Sequence, residues 1–140
     1  MGVAPSLILK SSFEDIQSYI QNNDDTFLIN TLPTGQQSCL IKNTVPYNDE
    51  ERLLNAMINE RMFDKCIIIY GLNTNDTTVY TKYNQIKSHG FSKVYLYLGG
   101  LFEWLCLQDI YGDENFPTTS RLIDIYKMRP QSSMNIKYIS

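Results

Sequence analysis

The chain has 140 residues, of which 43% are hydrophobic, 12% aromatic and 19% charged, and its formal net charge at pH 7 is −3. A chain of this length forms one domain that buries roughly two-thirds of its unfolded surface, so it needs neither disulfides nor a structural metal. The mild acidity and the lack of a basic run exclude a nucleic-acid-binding surface. The lack of an apolar run of about 18 residues excludes a membrane span. We expect no cofactor and no metal.

The three cysteines indicate the cellular compartment of the protein rather than a metal or redox site. Cys39, Cys66 and Cys106 are an odd number, and their spacing matches no CxxC metal or redox motif. Such cysteines are typical of reduced thiols inside a cell. The first ten residues have neither the charge nor the apolar length of a secretion signal. We therefore expect an intracellular, cytoplasmic protein.

The first half of the chain alternates short apolar runs with helical patterns. Residues 7–9 predict a strand, and Ser12 with Asp15 predicts the start of a helix that is apolar at positions 13, 16, 19 and 20. A polar turn at 22–25 ends this helix, and residues 26–31 predict a strand buried on both faces. After an irregular stretch, Asp49 opens a second helix. Its apolar positions are Leu53, Leu54, Met57, Ile58 and Met62.

The second half continues the alternation. Residues 65–70 contain an uninterrupted β-branched run, which is typical of the central strand of a parallel sheet. A polar turn at 71–76 leads into a helix that ends near His89 and Gly90. A strand at 94–98 follows, and after Gly99 and Gly100 comes an apolar helix that contains Trp104. The pattern predicts an α/β fold with a mostly parallel central sheet and helices on both faces.

Several segments between positions 7 and 111 resemble the rhodanese-like family. Residues 28–30 are similar to the family's strand that ends Ile-Asp-Val-Arg, and residues 41–46 to its stretch that ends Ala-Ile-Asn-Ile-Pro. Residues 89–104 are similar to the signature Gly-Phe-x-x-Val-x-x-Leu-x-Gly-Gly-x-x-x-Trp. The matching positions are Gly90, Phe91, Val94, Gly99, Gly100 and Trp104. The resemblance implies a rhodanese-like domain over residues 1–112.

The same resemblance implies where a sulfurtransferase of this family would carry its catalytic groups. A thiolate would follow the central strand, and an Arg would stand five residues later. Gly71 and Asp76 occupy these positions here. Glycine has no nucleophile, and a carboxylate opposes the anionic intermediate that the thiolate would form. We therefore predict no catalytic residue and interpret one segment as a vestigial active-site loop: Gly71, Leu72, Asn73, Thr74, Asn75 and Asp76.

Other residues offer no clear replacement for the missing nucleophile. Asp76 fits a helix N-cap, because it precedes Thr77, Thr78 and Val79. Cys66 falls at the amino end of the central strand, more than about 10 Å from the loop. The three cysteines are best interpreted as buried structural thiols. The single histidine, His89, suits the end of a helix and makes no metal site alone.

Residues 113–140 are predicted to form a C-terminal extension. The segment from position 111 to 119 resembles an extension of single-domain rhodanese-like proteins from protists and large DNA viruses. The last twenty residues have a net charge of +3, because one acid, Asp124, is set against Arg121, Lys127, Arg129 and Lys137. We favour an extension that packs on the domain through its apolar residues over one that docks an acidic partner through its cations.

Three functions remain open at this point. The favoured hypothesis is a catalytically inactive rhodanese-like domain that serves as a binding or structural module for a protein partner. The second is a diverged sulfurtransferase or phosphatase-like enzyme that uses another thiol, such as Cys39. The third is a minor structural component of a larger assembly such as a virus particle, in which case the protein would be found in the virion.

Overall fold

The sheet is parallel, and its strands alternate with helices along the chain. The computed structural model describes residues 7–22 and 25–132. This part of the chain contains α1 (Phe13–Asn22), β1 (Thr26–Asn30), α2 (Tyr47–Asn59), β2 (Cys66–Tyr70), α3 (Thr78–Ser88), β3 (Lys93–Tyr97) and α4 (Gly100–Tyr111). Short 3-10 turns lie at Thr34–Gln36 and Tyr126–Met128. β2 pairs with β1 on one side and with β3 on the other.

The two faces of the sheet bury two separate cores. Ile68 and Tyr70 of β2 point into a core that α1 and α4 complete, whereas Ile67 and Ile69 point into a core completed by α2 and α3. Successive residues of a strand point to opposite faces, so a β-branched run with no polar alternation is the sequence of a strand covered on both sides. The predicted α/β architecture is confirmed.

Helix α1 begins as its sequence predicts. The Ser12 hydroxyl oxygen accepts the Asp15 N–H at 3.3 Å, and the Asp15 carboxylate accepts the Ser12 N–H at 3.0 Å. These reciprocal bonds satisfy amides that the first helical turn leaves without partners. The turn predicted at 22–25 falls partly on residues 23 and 24, which lie outside the described residues.

Two of the predicted elements are wrong in type or by more than one residue, whereas the strands predicted at 26–31, 65–70 and 94–98 differ from the structure by one residue. Residues 7–9 form no strand. The chain there makes a single parallel bridge, from Lys10 to Leu96 at the outer edge of β3, and then turns into α1. Helix α2 begins at Tyr47 rather than Asp49, because Pro46 has the fixed φ that suits the residue before a helix. It ends at Asn59, so Met62 lies beyond the helix.

Within residues 7–22 and 25–132, no helix is long and apolar enough to span a membrane.

The hydroxyl group of Tyr83 makes the fold less stable than it need be. Tyr83 lies on α3 with only 3% of its surface exposed, and its buried hydroxyl has no hydrogen-bond partner. A buried polar group without a partner loses its hydrogen bonds to water on folding and gains none in the protein, which lowers the free energy of unfolding. We expect Tyr83→Phe to raise the free energy of unfolding by about 1 kcal/mol, measured by urea denaturation. Tyr97→Phe is the matched control and should destabilise the protein, because that hydroxyl donates to Glu103 at 2.7 Å.

Candidate functional site

The loop 71–76 lies where open parallel sheets usually bind their ligands. It follows β2, whose last residue, Tyr70, is in register with Asn30 at the end of β1 and Tyr97 at the end of β3. The carboxyl ends of all three strands therefore meet at one edge. In α/β folds this edge is the common place for a binding crevice. The structure thus places the predicted loop at a position suited to a site.

The side chain of Asp76 fills the inside of this loop. One carboxylate oxygen accepts the Leu72 N–H at 2.8 Å. The other accepts the Thr78 N–H at 3.0 Å and also the Thr78 hydroxyl. Asp76 therefore stabilises the start of α3, although that helix begins at Thr78 and its N-cap position, Thr77, makes no side-chain bond. One carboxylate joins the entry of the loop to the helix that follows it.

The space beside Gly71 is occupied by the same carboxylate. A Cβ atom placed on Gly71 would lie 2.4 Å from the nearer Asp76 oxygen, 2.8 Å from its Cγ and 2.9 Å from a methyl carbon of Val79. These distances are below any normal contact. A side chain at position 71 is therefore incompatible with the present position of Asp76.

Helix α4 is bonded to the back of the loop. The N–H of Leu101 donates to the Gly71 carbonyl at 2.9 Å, and that of Phe102 donates to the Leu72 carbonyl at 2.8 Å. This close approach depends on Gly100, whose φ is +68° and whose added Cβ would lie 2.6 Å from the Gly71 oxygen. Two of the amide N–H groups at the start of α4 therefore donate to backbone carbonyls of the loop and are not free to bind a ligand.

The C-terminal extension covers the front of the loop. The buried amide of Asn73 donates to the Met128 carbonyl at 2.9 Å, and its oxygen accepts the Asn75 N–H at 2.9 Å. The Asn75 side chain in turn donates to the Gln131 carbonyl at 2.7 Å. Two of the six loop residues thus bind backbone of the extension through their side chains. Asn73 and Asn75 carry a detectable sequence signal only as turn formers, not as anchors for a distant segment.

The first half of the extension packs on α4 and on the irregular segment after β1. Trp104, which is fully buried, donates through its indole N–H to the Pro117 carbonyl at 3.1 Å, and the Phe116 ring lies 5.0 Å from its ring. The Thr119 N–H donates to the Leu40 carbonyl at 2.8 Å. Residues 116–119 therefore lie against the body of the domain.

The described cations of the extension have different surroundings. Arg121 lines a cavity that Asp109 and Asp113 also line, whereas Lys127 lines a different pocket. Arg129 lies 4.2 Å from the centre of the Tyr126 ring and donates to the Tyr126 carbonyl. Lys137 lies outside the described residues. The role of these cations as an interaction tail stays a prediction.

Several solved structures are similar to this fold at low sequence identity. The rhodanese-like domain of the Alr3790 protein from Anabaena sp. is 19% identical with a TM-score of 0.56, over 96% of this chain and 93% of that one. The single-domain sulfurtransferase RDL2 of Saccharomyces cerevisiae is 17% identical with a TM-score of 0.54, over 82% and 100%. Ygr203w, a yeast protein tyrosine phosphatase of the rhodanese family, is 12% identical with a TM-score of 0.61, over 88% and 99%.

The chain has a rhodanese-like fold. No protein-family model matches its sequence, and no curated protein is significantly similar to it. At these low identities the structural similarity establishes the fold and not the chemistry, which depends on the residues of this chain.

None of the three thiols lies in loop 71–76. Cys39 is buried and donates to the Ser120 carbonyl at 3.3 Å. Cys66 begins β2, at the opposite edge of the sheet from the loop, and is half-buried. Cys106 on α4 is also half-buried, and burial, reinforced by Asp109 and Glu103, raises the pKa of its thiol. The expectation of three buried thiols is therefore right only for Cys39.

Metal binding has no support in this part of the molecule. Among residues 7–22 and 25–132, no group of three His, Cys, Asp or Glu side chains is placed to hold a metal ion. His89 is an exposed residue at the carboxyl end of α3.

Proposed function

We propose that this chain is a non-catalytic, rhodanese-like binding module for a protein partner, in which loop 71–76 is a closed active-site loop. The observation that carries the proposal is the position of Asp76. Its carboxylate accepts the Leu72 N–H and occupies the space in which a side chain at position 71 would lie. The Asp76 carboxylate, which is part of the protein, thus occupies the position that a catalytic side chain would need.

Electrostatics support the loss of catalysis. A nucleophilic thiol works as a thiolate, which neighbouring cations and amide N–H groups stabilise. Here the Asp76 carboxylate already accepts the Leu72 and Thr78 N–H groups, and a second anion beside it would be repelled. The missing thiol and the opposing charge therefore act in the same direction.

The surface of the extension supports a role in binding. Ile123 and Tyr126 are 95% and 68% exposed, although both are large apolar side chains in a segment that otherwise lies on the domain. Exposed apolar groups of this size are costly to leave in water and are common where a partner docks.

An assay of sulfur and phosphoryl transfer tests the loss of catalysis. The purified protein is expected to transfer no sulfur from thiosulfate to cyanide and to hydrolyse no p-nitrophenyl phosphate above the rate of buffer. The control is a variant in which Cys39, Cys66 and Cys106 are all changed to Ser, which should give the same background. Turnover by the native protein that disappears when a single cysteine is changed would refute the proposal.

A thiol enzyme that uses Cys39 is the second candidate, and the position of Cys39 in a pocket favours it. Cys39 lines the same pocket as Lys127 and Leu72, beside the closed loop. A thiol activated for catalysis is alkylated quickly near pH 6, whereas an ordinary thiol is not. Peptide mapping after iodoacetamide treatment at pH 6 distinguishes the two. Selective labelling of Cys39 over Cys66 and Cys106 would favour the enzyme, and no selective labelling would favour the binding module.

A further inference from the structure

A pocket of about 340 Å³ lies where the extension meets loop 71–76. Leu72, Leu122 and Met128 give it an apolar wall, and Gln36 and Ser38 give it a polar one. Its volume is near the lower end of the roughly 300–1,000 Å³ that is usual for small-molecule sites. The pocket therefore suits a small molecule or a single side chain.

The charge of this pocket comes from one residue. Lys127 lines it, and no aspartate or glutamate does. Within the described ranges, the ion pairs use Arg52, Lys65 and Lys82 as their cations, so the Lys127 ammonium has no carboxylate partner. A single unpaired cation beside an apolar wall is complementary to one negative charge on an apolar group.

The number of donors distinguishes between kinds of anion. A phosphate carries up to two charges and is typically held by several donors, often by the paired N–H groups of an arginine. No arginine lines this pocket, and its cation is one ammonium group. A carboxylate has a single charge and two oxygens, which one lysine and a polar neighbour such as Ser38 satisfy.

We propose that the pocket binds a carboxylate attached to a small apolar group. The carboxylate pairs with Lys127, and the apolar group lies against Leu72, Leu122 and Met128. A free short-chain carboxylic acid and the C-terminal residue of another protein both offer this chemistry. The inference rests on the proposed role of the chain as a binding module and supplies that role with a ligand.

Titration of the ¹⁵N-labelled protein, followed by amide chemical shifts, tests the pocket. The probes are hexanoate, as a free acid, and N-acetyl-leucine, as the end of a chain, each compared with its uncharged amide. We expect saturable shifts at Gly35, Ser38 and Lys127, with the acids binding about tenfold more tightly than the amides, which is the effect of one charge-assisted hydrogen bond. Tighter binding of hexanoate would indicate a free acid as the ligand, and tighter binding of N-acetyl-leucine would indicate a chain terminus.

Two variants with the same change of charge make the test specific. Lys127→Gln should abolish the preference for acid over amide. Lys93→Gln should keep it, because Lys93 is exposed at the amino end of β3, outside the pocket. The absence of saturable shifts, equal binding of acid and amide, or native binding by Lys127→Gln would overturn the inference. Sulfurtransferase turnover would instead overturn the proposed function, without changing the titration.

Discussion

Gly71→Cys and Asp76→Arg introduced together are expected to produce a thiol that iodoacetamide alkylates at least about tenfold faster at pH 6 than the thiol of Gly71→Cys alone. In the single variant, the new Cβ would meet the Asp76 carboxylate at 2.4 Å, and the negative charge would raise the pKa of the thiol. In the double variant, the clash with the Asp76 carboxylate is removed, although the 2.9 Å approach to Val79 remains. The Leu72 N–H is released, and a guanidinium group favours the thiolate. Peptide mapping by mass spectrometry gives the rate at each cysteine separately.

A third variant separates the two causes of this effect. Gly71→Cys with Asp76→Ala removes the clash and the carboxylate without adding a cation. Its thiol is expected to react at an intermediate rate. Equal rates in all three variants would mean that the charge at position 76 does not act on a side chain at position 71, and our interpretation of loop 71–76 as a former active-site loop would be wrong.

Gly100→Ala is expected to lower the free energy of unfolding by about 3 kcal/mol or more, because strain and overpacking add at this position. The backbone of Gly100 has a φ of +68°, and an added Cβ would lie 2.6 Å from the Gly71 oxygen and 3.0 Å from the Asn73 nitrogen. Both neighbours are backbone atoms of the loop, and the Gly71 oxygen accepts the Leu101 N–H, so neither can move without disturbing the loop. Urea denaturation measures the loss of stability.

Gly90→Ala is the matched control for this prediction. Gly90 also has a positive φ, +108°, but its added Cβ would meet only the Phe63 ring, at an ordinary 3.5 Å. The cost there is backbone strain alone, about 1 to 2 kcal/mol. If the two substitutions destabilise the protein equally, the close approach between α4 and loop 71–76 contributes nothing to stability.

The parts of the fold that were predictable from the sequence are those set by local periodicity. The strand Cys66–Tyr70 is an uninterrupted apolar run, and the structure covers it on both faces. Ser12 and Asp15 are close enough in sequence to cap α1 by themselves. The prediction of a strand at residues 7–9 was wrong. A short apolar run forms a strand only where it pairs with a neighbouring strand over several residues, and the chain here makes a single bridge to β3, between Lys10 and Leu96.

The arrangement of the candidate site was only partly predictable. The resemblance to the rhodanese-like family predicts that Gly71 and Asp76 stand where that family would carry its thiol and its cation, and this stays a prediction. The position of the Asp76 carboxylate in the space beside Gly71 depends on how the loop folds, and nothing in the spacing reports it. The bond from Asn73 to Met128 joins residues 55 positions apart through one amide group. A contact of this kind produces no periodic pattern.

The bonds between loop 71–76 and the extension determine when the protein can finish folding during its synthesis. A ribosome completes all three strands and α4 before it makes the residues that follow. A nascent chain with its whole sheet thus lacks the Phe116 ring that packs on Trp104 and the carbonyl groups that Asn73 and Asn75 bind. Local contacts form quickly, but these distant ones have to wait for the later residues. Covering of the loop by the extension is therefore expected among the last steps, and a nascent chain halted after α4 is expected to keep the Asp76 contacts of the loop but to lack the bonds from Asn73 and Asn75 to the extension.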